Sequence, residues 1–302
     1  MAERFNNTIK RNINRLNIQL LVNGNSFISG QYGHRFVDGV TDDLKFELLD
    51  KGIKAIRKED KANPVNMVVV KDFLADTVPP NTGLFNSGYQ EVVLQPNMVL
   101  ELDPEWKSFE DYLGAMTSKY RVRARSAKKK GAELIVEPLG INGAREYRQE
   151  MYDLYRNIAE EAEFNMAFLG VDYFQRMREN MSENFFITAY FKEERLVGFI
   201  SYFIFGKHME AHFMGYDKSI NREYKLYQNV LYNLVETGIE AGVDQIYMGR
   251  TALEIKTTVG AVAHPMNCLL KADNSLGNSI LKRIFSQLNN EEWIPRSPFK
   301  KK

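Results

Sequence analysis

The stretch Phe185–Tyr216, FFITAYFKEERLVGFISYFIFGKHMEAHFMGY, decides the fold. It holds three apolar segments, Phe185–Phe191, Leu196–Phe205 and Met209–Tyr216. Lys192-Glu193-Glu194 separates the first two and Gly206-Lys207-His208 the next two. Connectors this short and polar predict antiparallel hairpins. A helix is expected next at Tyr224–Ala241, then a short strand at Gln245–Met248 and a longer one at Val262–Leu270. Three strands, a helix and two further strands form a mixed α/β unit with a cleft between sheet and helix.

Composition bounds the rest. The chain has 302 residues, 44% hydrophobic and 26% charged, ordinary for a globular protein with a sizeable core. A net charge of +1 gives no global basic field for nucleic acid. The single Cys268 excludes an internal disulfide framework and fits a reducing compartment. It lies in an apolar run, where a buried small side chain is expected. No apolar run reaches the roughly 18 residues of a membrane span. Met1–Asn25 lacks the apolar core of a signal peptide, so cytoplasmic residence is expected. An amphipathic membrane contact by Ile9–Leu21 is the alternative for that segment.

Upstream, the spacing predicts a helix over Thr41–Ile56, a buried strand over Asn66–Lys71 and a loop over Thr77–Tyr89. Strands are expected at Glu91–Leu94 and Met98–Leu102, around Gln95-Pro96-Asn97. One long helix is expected from Ser108 to Lys130, with Ser108 and Asp111 in a capping-box-like arrangement and Gly131 as a positive-φ stop. A strand at Ala132–Val136 and helices at Glu146–Ala159 and Asp172–Met181 follow, and the basic tail Ser297–Lys302 is expected to fray. The two halves repeat a helix-then-strands layout without sequence identity.

Four marks together resemble the tandem-GNAT proteins related to the Fem-type peptidoglycan transferases, a bacterial set. Trp106 and Tyr112 precede the basic helix Lys119-Tyr120-Arg121-Val122-Arg123. The helix pair Glu146–Ala159 and Asp172–Met181 follows, then a meander ending Met214-Gly215-Tyr216-Asp217, then Met248-Gly249-Arg250 with Lys256 and Gly260. The resemblance covers Met98–Lys271. It implies two tandem GNAT-like acyl-CoA N-acyltransferase domains, 1–140 with the basic helix and 141–302 with the acyl-transfer cleft. Acyl-CoA, such as acetyl-CoA, is the implied co-substrate, and no metal is implied. The implied acceptor is a small-molecule or peptidoglycan-precursor amine. Aminoacyl-tRNA is an alternative donor, and a catalytically silent binding module is a further reading. One departure stands out: GNAT donors rest their pyrophosphate on a glycine-rich loop, and here that place reads Asn221-Arg222-Glu223-Tyr224-Lys225-Leu226, without glycine. Arg222 and Lys225 supply charge there, whereas Tyr224 is expected to crowd the cradle.

Acyl transfer to an amine needs a base, a polarised carbonyl and alignment. Glu210 and His212 alternate with apolar neighbours on the third strand, so both are base candidates on one face. His208-x-Glu210-x-His212 also has the spacing of metal ligands, but His208 falls in the turn and no further ligand cluster accompanies it. The GNAT resemblance assigns carbonyl polarisation to backbone N–H groups of Phe213, Met214, Gly215 and Tyr216. Gly215 marks either a close ligand approach or a β-bulge. Tyr227 is a candidate proton donor to a leaving thiolate. Arg250, Glu254 and Lys256, past the short strand, are candidate substrate ligands. So are Arg121 and Arg125, which share one face of a helix carrying seven cations between Lys119 and Lys130.

Overall fold

The computed structural model describes residues 19–60, 64–74, 83–161, 168–272 and 293–300. The chain forms two compact units, Met1–Gln95 with Pro265–Glu292, and Pro96–His264 with Trp293–Lys302. Both boundaries fall inside strands, at Pro96 in β3 (Gln90–Glu101) and at Pro265 in β9 (Val262–Ala272). Proline has no N–H to give a ladder, so each strand is interruptible at that residue.

In the first unit, β1 (Leu20–Asn23) pairs in parallel with β2 (Met67–Leu74), and β2 pairs antiparallel with β9. Helix α1 (Asp42–Glu59) lays Phe46, Leu49 and Ile53 against Val68, Val70, Phe73 and Leu269. That i, i+3, i+7 stripe makes the helix amphipathic. The one-turn helix α2 (Gly83–Asn86) adds Leu84 to the same core. The amphipathic segment proposed for Ile9–Leu21 lies largely outside the described residues. The loop expected over Thr77–Tyr89 lies outside them up to residue 82, and its remainder holds α2.

The second unit holds a sheet ordered β3-β8-β7-β6-β5-β4 among the described residues. Its strands are β4 (Ile135–Pro138), β5 (Phe185–Lys192), β6 (Arg195–Phe205), β7 (His208–Tyr216) and β8 (Gln245–Tyr247). All neighbours run antiparallel except β7 and β8, which are parallel. The two hairpins have two-residue loops, Glu193-Glu194 between Lys192 and Arg195 and Gly206-Lys207 between Phe205 and His208. Glu193 (φ 56°) and Gly206 (φ 57°) take the positive φ that such turns need.

Helices cover both faces of this sheet. On one face, α6 (Arg148–Ala159) and α7 (Tyr173–Asn180) contribute Leu154, Tyr155 and Phe174, the last stacked edge-on against Phe199 at 4.8 Å. The short α5 (Ile141–Glu146) leads into α6, so the expected Glu146–Ala159 helix begins beyond a break at Tyr147. The other face carries α3 (Phe109–Ala115), α4 (Ser118–Lys130), α8 (Lys218–Tyr224) and α9 (Leu226–Glu240).

Three expectations are corrected here. The long helix over Ser108–Lys130 is two helices, because Met116 (ψ 151°) is extended and bridges Phe299 while Thr117 donates to the Pro298 carbonyl at 2.8 Å. The same contacts, with Lys300 donating to Ala115, tie down Ser297–Lys300, which was expected to fray. Gly131 ends α4 at φ −85°, not in the left-handed region. Its role is space: a Cβ there would lie 2.4 Å from Asn229 Nδ2. The Ser108 cap is as expected, its Oγ accepting from the Asp111 N–H.

The helix expected at Tyr224–Ala241 is present as α9, and Asn229 explains what the sequence did not show, the separate α8 that precedes it. Lys225 sits at φ 51°, ψ 41° between α8 and α9. A carbonyl freed by that break needs a donor. Buried Asn229 supplies one: its Nδ2 lies 2.8 Å from the Tyr224 carbonyl, and also 2.8 Å from that of Ala127, which ties the junction to α4. Asn229→Ala is therefore expected to destabilise the protein by about 1–3 kcal/mol, the cost of stranding a buried acceptor. A denaturant midpoint equal to wild type would count against this account.

Candidate active site

Strands β7 and β8 share only three pairs, His208 with Gln245, Met209 with Ile246 and Glu210 with Tyr247. Beyond Tyr247 the chain stays with β3, Met248 donating to the Met98 carbonyl at 2.7 Å and Met98 to that of Gly249 at 3.2 Å. Meanwhile β7 continues to Tyr216 along β6. The two strands thus part, and Glu210 is 6% exposed at the vertex of the opening.

The register of β7 on β6 carries one extra residue. Ile200 pairs with Met214 and Tyr202 with Ala211, so His212 and Phe213 together oppose Ser201. This one-residue β-bulge overturns the simple alternation read from the sequence. His212 and Phe213 both reach the α6/α7 face, His212 against Tyr173, Phe185 and Phe203, and Phe213 against Tyr155 and Tyr173. Ala211, Met214 and Tyr216 instead join the core beneath α9.

The bulge also sorts the four expected backbone donors. Asp217 donates to Val197 at 2.8 Å, and bonding alternates along an antiparallel ladder. Gly215 accordingly faces β6, leaving Met214 and Tyr216 to present their N–H groups to the β8 side. Phe213 is occupied, its N–H donating to Ser201 Oγ at 3.1 Å. Gly215 is not the bulge, which falls at His212 and Phe213. A Cβ there would lie 2.4 Å from the backbone of Leu154 and Tyr155, so the glycine admits α6.

His212 is also corrected. Its Nε2 is 2.8 Å from the Tyr173 hydroxyl, its Nδ1 is buried without a partner, and burial pushes its pKa down to about 3. A ring held neutral this firmly is a poor base near pH 7. Glu210 keeps the better position. Among the described residues there is no group of three or more His, Cys, Asp or Glu suited to a metal.

At the start of α9, a cavity of about 470 Å³ is lined by Tyr216, Asn221, Arg222, Lys225, Tyr227 and Ala252. A second, of about 420 Å³, shares Lys225 and Gln228 and adds Arg123 and Ser126 from α4. Tyr224 does not crowd this space. It is 4% exposed in the core, its hydroxyl 3.3 Å from Glu133. Tyr227 lines the wall, 5.9 Å from the Tyr216 ring, and burial raises its phenol well above the usual 10. The Tyr227 N–H is already bonded to Asn221 Oδ1 at 2.9 Å.

A parallel strand pair that parts beside a helix N-terminus is the arrangement expected of a GNAT cleft, and residues 118–257 match the acetyltransferase (GNAT) domain family. Residues 118–257 thus carry a GNAT-type domain. No curated protein sequence matches it. The L-PGS structure from Bacillus licheniformis is similar at TM-score 0.55 and 14% identity, over 83% of this chain and 80% of that one. The C-terminal domain of a candidate lysylphosphatidylglycerol synthetase from Agrobacterium fabrum gives 0.54 at 12% identity, over 80% and 77%. FemX gives 0.53 at 10% identity, over 87% and 82%. These likenesses establish a shared GNAT fold.

Within the GNAT domain, the cations chosen from the sequence divide. Arg125 pairs with Glu110 at 2.8 Å on the surface, and Arg121 lines neither cavity. Arg123, off the face that Arg121 and Arg125 share, is the α4 arginine at the cavity. Glu254 is exposed and bonded to Arg296 Nε at 3.0 Å, so its carboxylate is engaged. Arg250 is half-buried after Gly249. Lys256, in α10 (Leu253–Thr257), is 4% exposed, its Nζ 3.9 Å from where a Gly249 Cβ would stand. No carboxylate ion-pairs with it among the described residues.

Burial lowers the Lys256 pKa from 10.5 to about 7. The unfolded chain keeps that proton to a higher pH than the fold does, so unfolding takes up a proton between these values. Its contribution therefore makes stability rise with pH from about 7 towards 10. Lys256→Met should be flatter across that window in urea titrations. Parallel stability profiles for the two proteins would refute the assignment.

Proposed function

We propose that the second unit is an N-acyltransferase working at the opening between β7 and β8, with acyl-CoA as the favoured donor. The observation that carries this reading is the parting of β7 from β8 at Glu210, beside the two N–H groups of Met214 and Tyr216. A donor carbonyl seated there is polarised by these groups. The acceptor amine gives a proton to Glu210 and its nitrogen attacks the carbonyl carbon. The carbon–sulfur bond breaks, and the leaving thiolate is stabilised by the Tyr227 hydroxyl, which stays protonated near neutral pH. Arg222 and Lys225 hold the donor phosphates, while Arg250 and buried Lys256 stand on the acceptor side. The acceptor class is an amine, such as that of a peptidoglycan precursor or a lipid-linked group.

One observation favours a second donor. Asn221 occupies the Tyr227 N–H, part of the helix terminus that a pyrophosphate would use. Side-chain cations, namely Arg123, Arg222 and Lys225, take over phosphate recognition there. That suits a larger polyanion, and aminoacyl-tRNA is the alternative donor. Its ester carbonyl would be polarised by the same N–H groups.

Thermal unfolding with acetyl-CoA, free coenzyme A, a longer acyl-CoA and aminoacyl-tRNA separates the readings. A donor at a hundredfold excess over its Kd stabilises by about 2.7 kcal/mol. An acyl-CoA shift that falls in Arg222→Ala and Lys225→Ala supports the first reading, and a shift with aminoacyl-tRNA alone supports the second. No shift with any of them would leave a silent GNAT module. With a responding donor, Glu210→Gln should keep the shift and lose about 10²–10⁴ in turnover.

A further inference from the structure

The bulge in β7 determines which N–H groups face the opening, because a one-residue slip exchanges the two edges of a strand. An extra residue in a buried strand leaves backbone groups without ladder partners. Ser201 lies fully buried on β6 opposite the two bulged residues. Its Oγ accepts from the Phe213 N–H at 3.1 Å and donates to the Phe213 carbonyl at 2.9 Å. One side chain thus meets both backbone groups of Phe213. The other bulged residue is held from a helix, His212 Nε2 lying 2.8 Å from the Tyr173 hydroxyl on α7. The flanking residue Gly215 is pressed by α6.

We propose that Ser201, by its two-way clasp on the Phe213 backbone, and Tyr173, by its bond to His212, are positioning residues. They hold the bulge of β7 and thereby aim the Met214 and Tyr216 N–H groups into the opening beside β8. Neither touches the reacting atoms. The catalytic consequence rests on the acyl-transfer reading, but the clasp itself does not depend on any substrate.

Amide exchange by NMR on the full-length protein, with ¹⁵N-labelled His, Met, Phe, Gly and Tyr, reads the clasp directly. In the wild type, Met214 and Tyr216 should exchange at least tenfold faster than Phe213 and Gly215. Ser201→Ala should speed Phe213 at least tenfold, and Ser201→Thr, which keeps a hydroxyl, should restore its protection. Tyr173→Phe tests the second hold in a variant that keeps the ring, and should speed His212 and Phe213 together. A protected Met214 in the wild type, or an unchanged Phe213 in both Ser201→Ala and Tyr173→Phe, would overturn the proposal. Should Ser201→Ala fail to fold, the wild-type pattern and Tyr173→Phe still decide. Where a thioester donor is turned over, Ser201→Ala should lower kcat at least tenfold with donor KM unchanged, and a fall confined to thermal stability would reduce Ser201 to a packing role. Absence of turnover with every donor would count against the acyl-transfer reading while leaving the exchange result to stand for the clasp.

Discussion

Strand β7 must remain paired with β6 along its whole length while leaving β8 after three pairs, and the second unit is organised around that demand. A parallel neighbour that departs leaves one edge of β7 without a ladder. Buried N–H and C=O groups on such an edge are costly unless something meets them. The fold limits the exposed edge to the stretch after Glu210. It keeps β8 satisfied through β3 and covers the faces of β7 with α6 on one side and α9 on the other. An opening of this kind is a place where backbone donors are available and fixed. That combination is what stabilisation of a developing oxyanion requires.

Other strained or costly features gather near the same opening. Two non-glycine residues with left-handed backbone, Lys225 and Ala252, both line the cavity at the start of α9. Such conformations cost about 1–3 kcal/mol each and persist where surrounding structure enforces them. Lys256 is buried behind Gly249 without a carboxylate ion pair among the described residues, and Glu210 is buried at the vertex. Burying an ionisable side chain does not help a core. In the proposed reading these features trade stability for a prepared site, a common trade in enzymes.

The meander, its two hairpins and the order of helix and strands after it were legible in the sequence, because short polar connectors between long apolar runs leave few alternatives. The bulge was not. Nothing in Met209–Tyr216 marks an extra residue, and the hydroxyl that meets it, that of Ser201, lies on another strand. Alternation placed Glu210 and His212 on one face correctly, but it failed at Phe213 and gave no warning of the aromatic nest that keeps His212 neutral. The glycines were partly legible. Gly131 ends α4 as expected but without positive φ, and Gly215, read as a ligand approach or a β-bulge, is not the bulge. Each makes room for a neighbour, Asn229 or α6, that only the packed structure supplies. The cations were half legible. Helical spacing groups Arg121 with Arg125, but only the packing of α4 against α9 turns Arg123 and Ser126 towards the cavity.

The junction of α8 and α9 bears on the donor in a way that composition does not. A glycine-rich loop offers backbone N–H groups at fixed positions, which suits a compact pyrophosphate. Here Asn221 has filled one of those positions from within the chain, and Lys225 occupies the turn that a glycine would otherwise take. In the proposed reading, side-chain cations drawn from two elements, α4 and the α8–α9 junction, stand in for backbone recognition. Side-chain cations reach further and tolerate more varied phosphate spacing than a backbone cradle does, at the loss of geometric selectivity. On that reading the site keeps the part of the GNAT design that acts on the carbonyl and relaxes the part that selects the carrier. In the proposed reading, the identity of the carrier is the property that this chain has been freest to change.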